Sequence, residues 1–360
     1  MSGLSYSTSG VDSARGDREK ESLGRILAES LRFRRGVGES LVENGYYAAA
    51  VRVAPDLAVA ISTDGVGSKI LVAEQMGKLD TIGIDCVAMN VNDVLCLGAE
   101  PISLVDYIAV ERLHDAMLVE VAKGLLEGAR QAGISIPGGE TAQLPDIIRG
   151  AVPGRGLDLA GTAIGLVAPD KINVGRAVTP GDVVVGLAST GVHSNGFSLV
   201  RRALFGAGGL SVSSQVPELR RPLGEELLEP TRIYVRDVLE ILGAGADVRA
   251  MLHITGGGFT NLLRVAAPVG WVLDALPPPP PVFELIRRLG GVEWAEMYGV
   301  FNMGIGFVLV VPEADVETVR AIAHKRGTAS HVIGRVTDER GTVRIPQRGL
   351  VATDAGFAAG

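Results

Sequence analysis

The run TIGIDCVAMNVNDVLCLGA, residues 81–99, constrains the fold of this chain more than any other stretch. Its length and composition suit a helix covered on most sides, with Val87, Ala88, Val91, Val94 and Leu95 supplying the apolar surface. Yet Asp85, Asn92 and Asp93 lie on one side of the same helix. Burying carboxylates without partners is costly, so these groups need a cation or a dense set of hydrogen-bond donors, such as a helix-capping network.

Around this run the chain alternates strand-like and helix-like segments. VRVAPDLAVAIS reads as a hairpin or two short strands, ISLVDYIAV and LDLAGTAIGLV as strands. LHDAMLVEVAKGLLEGARQAG spaces Leu113, Met117, Val121 and Leu125 four apart, with Gly133 as a helix stop. Pro and Gly bracket polar residues in APDKINVGRAVTPGD, Ala168 to Asp182, which marks a domain boundary. A second unit follows: DVVVGLAS, a helix starting near Phe197, the helix TRIYVRDVLEIL, LHITGGGF, GIGFVLVVP, a helix from Val316 to His324, and SHVIGRV. The expected organisation is a polar arm over 1–45, a domain over 46–168 and another over 169–360, in a two-domain α/β fold.

With 360 residues, 47% hydrophobic and 21% charged, the chain can bury two cores, which excludes disorder over most of its length. Aromatics at 4% and 48 glycines make those cores aliphatic and the loops tight enough for backbone to approach a ligand. A net charge of −7 without a basic run argues against nucleic acid as partner. Only Cys86 and Cys96 are present, no segment has the length of a membrane span, and the N-terminus lacks a signal peptide's apolar centre. The expected location is cytoplasmic, with no membrane partner.

Four clusters could carry chemistry. STDGVGSK, Ser62 to Lys69, is either a hairpin turn or a place where phosphate is held. It is no Walker loop, because neither Gly67-Ser68-Lys69 nor Gly77-Lys78-Leu79 completes that pattern, and no GxGxxG links a strand to a helix. In PGGETAQLP, two glycines after ISI put Glu140 at a strand end. Asp64, Asp93 and Glu140 then form a set of hard oxygen donors suited to Mg²⁺ bridging phosphates. STGVHSNGFS presents His193, Ser194 and Asn195 before a helix start, where an anion is favoured, and HITGGGFTN leaves the backbone of Gly256, Gly257 and Gly258 bare. A GxSxG elbow and zinc-ligand spacing are both missing, so His114, His253, His324 and His331 are given structural or solvent roles.

Taken together, STDGVGSK, GIDCVAMNVNDVLCLGAEP, IPGGETAQLP, STGVHSNGFSLVR, EPTRIYV, HITGGGFTN and EMYGVFNMGIG resemble, in order and spacing from about Ser9 to Val343, the phosphoribosylformylglycinamidine cyclo-ligase family of purine biosynthesis. The resemblance implies an N-terminal α/β domain that dimerises and a C-terminal ferredoxin-like layered α/β domain. It implies that ATP phosphorylates the formyl amide oxygen of formylglycinamidine ribonucleotide and that the amidine nitrogen closes the imidazole ring. By resemblance, Asp64, Asp93 and Glu140 serve the metal and ATP, with Gly65, Asn92 and Asp85 beside them and Lys69 on the phosphates. His193, Ser194, Asn195 and Gly256 to Gly258 serve the substrate, with His193, Lys69 and Asp64 as catalytic candidates. The implied cofactors are ATP and Mg²⁺ and the implied assembly is a homodimer. The chain departs from the family pattern at RRGVGESLVENGYYAAAV, at Ser68 and at Gln143-Leu144. Rival readings are another ATPase of the superfamily, such as a selenophosphate synthetase or small-molecule kinase, and a nucleotide-binding protein without turnover; no cysteine precedes Cys86, unlike the arm of a selenophosphate synthetase.

Overall fold

The computed structural model describes residues 3–6, 8–10, 13–43 and 45–360. After a helix α1 (Ser13–Ala28), residues 38–41 run antiparallel to the edge of the first sheet, with Leu41 N–H donating to Ala50 and Arg52 N–H to Glu39. That sheet comprises β1 (Ala49–Ala54), β2 (Leu57–Gly65), β3 (Glu100–Val110), β4 (Ser135–Gln143) and β5 (Leu157–Val167), in the order β1-β2-β5-β3-β4. Only β3 and β4 pair in parallel, joined by the crossover helix α4 (Asp115–Ala132); the other pairs are antiparallel.

Helices α2 (Ile70–Met76), α3 (Ile82–Leu95) and α4 belong to this first unit. The run that opened the sequence reading is α3, and all but two of its residues are buried. It comes close to the sheet because β5 offers glycines beneath it: a Cβ on Gly161 would lie 3.0 Å from Cys86 Sγ, and one on Gly165 2.5 Å from Val94 Cγ1. Directly paired residues share a sheet face, so Asp64, Gly161 and Asp106 all point toward α3, whereas Gly65, Ala160, Tyr107 and Glu140 form the next row and point away.

The second unit has an eight-stranded sheet in the order β13-β12-β11-β8-β10-β6-β9-β7. Its strands are β6 (Val183–Ala188), β7 (Ala250–His253), β8 (Gly270–Val272), β9 (Ile305–Val311), β10 (Ser330–Thr337), β11 (Val343–Ile345), β12 (Leu350–Thr353) and β13 (Gly356–Ala359). Strands β6 and β9 are almost entirely apolar and buried, as expected for the inner strands of a covered sheet, and the edge strand β7 is buried as well. Around them lie α5 (Phe197–Arg201), α6 (Leu223–Leu227), α7 (Val235–Gly243), α8 (Pro281–Gly290), α9 (Trp294–Val300) and α10 (Val316–Lys325).

Four sequence expectations need correction. Glu140 lies inside β4, not at a strand end, because the extended backbone continues through both glycines. Leu113 precedes α4 and is 54% exposed, while Met117, Val121 and Leu125 are buried as the spacing requires. Asp64-Gly65 ends β2 and leads into a short 3₁₀ turn and α2, so it is not a hairpin turn. Thr231 to Tyr234 are not helical; α7 starts at Val235, because the preceding backbone is claimed by side chains of α3.

Candidate active site

The site is organised by the face of α3 turned away from its own sheet. Asp85 Oδ1 accepts from Thr231 N–H at 2.7 Å, Thr231 Oγ1 at 2.6 Å and Lys69 Nζ at 3.0 Å. Two helical turns on, Asn92 Nδ2 donates to the Arg232 carbonyl at 2.9 Å, and its Oδ1 accepts from Tyr234 N–H at 3.1 Å. These bonds fasten the segment EPTRIYV of the second unit along a helix of the first. The donor network that the sequence demanded for Asp85 is therefore protein.

Lys69 is fully buried, and its Nζ also reaches the Glu229 carbonyl at 2.7 Å and lies 5.7 Å from the Phe197 ring centroid. Burial pulls its pKa down and the Asp85 carboxylate opposes that shift, so the pair holds one charge against the other in a dry seam. This is the latch of the interface.

Asp93, one residue further along α3, is still 14% exposed and accepts from His253 Nδ1 at 2.8 Å. His253 ends β7 and is buried; its Nε2 lies 3.5 Å from Asn92 Nδ2. An Nδ1–H donated to Asp93 leaves Nε2 as the acceptor. Sequence reasoning gave His253 a structural role; the available signal was its position at a strand end directly before ITGGG.

Asn195 lies between the units, with Nδ2 3.9 Å from Met89 Sδ and Oδ1 3.2 Å from where a Cβ on Gly256 would stand. The glycine cluster is a fixed turn. Gly257 and Gly258 have φ of +98° and +53°, a Cβ on Gly258 would lie 2.2 Å from the Tyr298 carbonyl, and Asn261 Nδ2 donates to the Gly258 carbonyl at 2.6 Å. Asp93 with His253, and Asn195 with Gly256, thus lie where the two units meet.

His193 is enclosed by its own unit. It is buried at φ +66°, its Nε2 accepts from Thr190 N–H at 3.2 Å and Arg232 N–H at 3.5 Å, and Nδ1 has no partner among the described residues. Burial holds its pKa well below the usual histidine value, so the ring is neutral and organises backbone. Ser194 Oγ contacts Thr231 Oγ1 at 3.2 Å, again on the EPTRIYV segment.

The three acids expected to share a metal are not brought together. Asp64 faces α3 and accepts from Gly65 N–H at 2.7 Å, Asp93 is paired with His253, and exposed Glu140 points from the opposite sheet face. Among the described residues no group of three His, Cys, Asp or Glu side chains could hold a metal ion. This set does not fit Mg²⁺ within one chain, because the pleat of the sheet sends Asp64 and Glu140 to different sides.

Two units joined by a clamped segment, with a carboxylate–imidazole pair between them, define a class that the comparisons make specific. AIR synthase related protein, N-terminal domain, matches residues 45–167, and AIR synthase related protein, C-terminal domain, matches residues 179–346. The chain is 48% identical over 342 residues to the phosphoribosylformylglycinamidine cyclo-ligase of Methanothermobacter thermautotrophicus, covering 95% of this chain and 97% of the relative. It is 47% identical to that of Methanobrevibacter smithii, covering 93% and 95%. Solved structures share the fold: tt0281 from Thermus thermophilus has a TM-score of 0.58 at 23% identity over 89% of this chain and 95% of that one. T. maritima PurL complexed with ADP has a TM-score of 0.56 at 18% identity over 87% and 45%. The chain belongs to the phosphoribosylformylglycinamidine cyclo-ligase family.

Proposed function

We propose that the site where the two units meet closes the imidazole ring of formylglycinamidine ribonucleotide with ATP, and that the Asp93–His253 pair, with Asn195 and Gly256, is the centre of that chemistry. An amide oxygen is a poor leaving group. Transfer of the terminal phosphoryl group of ATP onto the formyl amide oxygen turns it into a good one; the amidine nitrogen then attacks the same carbon, the carbon–oxygen bond breaks, and phosphate departs with the former amide oxygen. ADP, phosphate and aminoimidazole ribonucleotide result, with the proton lost from the attacking nitrogen. Attack within one bound molecule needs chiefly orientation.

The carrying observation is that three separate chain segments bring Asp93 against His253 and Asn195 against Gly256 where the two units meet. Asp93, held by the His253 imidazole and still partly exposed, suits the departing proton, and the Asn195 amide with the backbone of Gly256 to Gly258 suits the ribonucleotide. Lys69 acts on the site by holding the EPTRIYV segment, not by touching phosphate. Magnesium enters this proposal only as the ion that accompanies ATP, and no step runs through it.

We also propose a homodimer through the outer face of the first sheet. Val105 and Tyr107 are each 43% exposed there, and no helix among the described residues covers them; sheet faces this apolar are normally buried. The surroundings of Glu140 would then be completed by a second copy. No helix among the described residues is long and apolar enough to cross a membrane.

The test is ADP release by the purified chain. It should require formylglycinamidine ribonucleotide; ATP hydrolysis independent of that substrate, or turnover with selenide in its place, would remove the assignment.

A further inference from the structure

A cavity of about 250 Å³ lies where three parts of the chain meet: the end of the arm (Val42, Glu43, Tyr46), the connection between the units (Val174, Arg176) and the second unit (Arg264, Ala266). Ala266 N–H donates to the Val174 carbonyl at 2.9 Å and ties the last two together. The cavity is built around positive charge. Arg176 and Arg264 both line it, and neither has a carboxylate within ion-pair distance among the described residues. Arg264 is held in place by stacking, its guanidinium 4.6 Å from the Tyr47 ring centroid, and its charge acts on the neighbouring Tyr46 hydroxyl. Tyr46 packs edge-on against Tyr47, and its hydroxyl is buried without a hydrogen-bond partner among the described residues. Both arginines are exposed, so their unpaired guanidinium groups are open to an incoming anion, whereas the Tyr46 hydroxyl is closed off from the cavity. Glu43 is the opposing charge on the lining, and it is exposed.

We propose that this cavity binds a phosphate monoester, its oxygens taken by Arg176 and Arg264. The planar guanidinium forks suit tetrahedral oxyanions. The volume lies below the roughly 300–1,000 Å³ of sites for larger ligands, which favours a sugar phosphate over a whole nucleotide. The phosphate could be the 5′-phosphate of the ring-closing substrate, in which case the inference rests on the function proposed above, or it could belong to a separate sugar phosphate that fastens arm, connection and second unit together.

Calorimetric titration of the full chain with ribose 5-phosphate separates these sources. Binding should weaken about tenfold or more in Arg176→Gln/Arg264→Gln, as loss of two charge-assisted contacts requires, and should stay as in the wild type in Tyr46→Phe, whose hydroxyl is closed off from the cavity. A KM for formylglycinamidine ribonucleotide that rises in parallel, with kcat within about twofold, assigns the cavity to the substrate's phosphate. An unchanged KM with the same loss of ribose 5-phosphate binding assigns it to a separate ligand. If the wild-type chain takes up no ribose 5-phosphate at millimolar concentration, or if the arginine double variant binds it as the wild type does, the proposal is overturned. The titration needs no turnover, so its failure is distinct from failure of the ring-closure reading.

Discussion

Lys69 Nζ stands 2.9 Å from one carboxylate oxygen of Asp85 and 3.0 Å from the other, with both side chains fully buried between the two units. A motif that reads as a phosphate loop therefore places its lysine in a structural pair. Removing one partner strands the other charge in a dry environment. Lys69→Met should cost about 3–5 kcal/mol of stability, and adding Asp85→Asn should recover most of it. Urea unfolding of the three chains checks this; a single variant as stable as wild type but unable to bind ATP would return Lys69 to the phosphates.

Asp93→Asn keeps the shape of the side chain and removes the charge that orients His253. Turnover should fall by about 10²-fold or more while the melting temperature stays close to that of wild type, since Asp93 is partly exposed and donates nothing to the EPTRIYV clamp. Steady-state ADP release alongside a thermal melt measures both; unaltered turnover would remove the pair from the chemistry.

Gly258→Ala tests the glycine turn, because the new methyl would meet the Tyr298 carbonyl at 2.2 Å and φ is +53°. The expected loss is about 2–3 kcal/mol, through strain that the surrounding backbone cannot relieve. Gly209→Ala, at φ +62° with nothing within 4 Å of its Cβ, is the control: it should cost less, and equal losses would show that the close approach is unimportant.

The neutral state of His193 predicts a pH dependence. Its folded pKa is depressed below the ordinary value near 6.5, so the unfolded chain binds the proton more readily. Its contribution to stability is therefore intact above about pH 6.5 and lost on acidification, at up to about 1.4 kcal/mol per pH unit until the folded pKa is reached. His193→Asn, which tolerates the positive φ, should be less stable at neutral pH and should lack this slope in urea titrations between pH 7 and 5. An identical slope in both chains would show that His193 is not its source.

Tyr107→Asp and Val105→Asp place charge on the uncovered sheet face. Both should shift the chain from dimer to monomer in light scattering after size exclusion, with little change in secondary structure, since neither residue is in the core. Dimers that persist in both variants would place the association elsewhere.

Much of the fold was legible because apolar periodicity survives translation into structure: α3, α4 with its Gly133 stop, β5, β6, β9 and α10 lie where their spacing puts them. Segments decided by partners were not. Thr231 to Tyr234 carry helix-compatible residues but form no helix, because Asp85 and Asn92 compete successfully for their backbone N–H and C=O groups. The site was legible in part: Asn195 stands beside Gly256 and Asp93 pairs with His253, a partner that spacing did not show, while Asp64 and Glu140 separate across the sheet.

By itself the chain's order of residues determined that acids ride on an apolar helix, that glycines permit close backbone approach, and to which family those patterns belong. Only the tertiary structure decided which acid meets which partner: Asp85 a lysine, Asp93 an imidazole. The reason is that hydrophobic spacing acts locally along the chain, while neutralisation of a buried charge depends on whatever distant segment folding brings within about 3 Å of it.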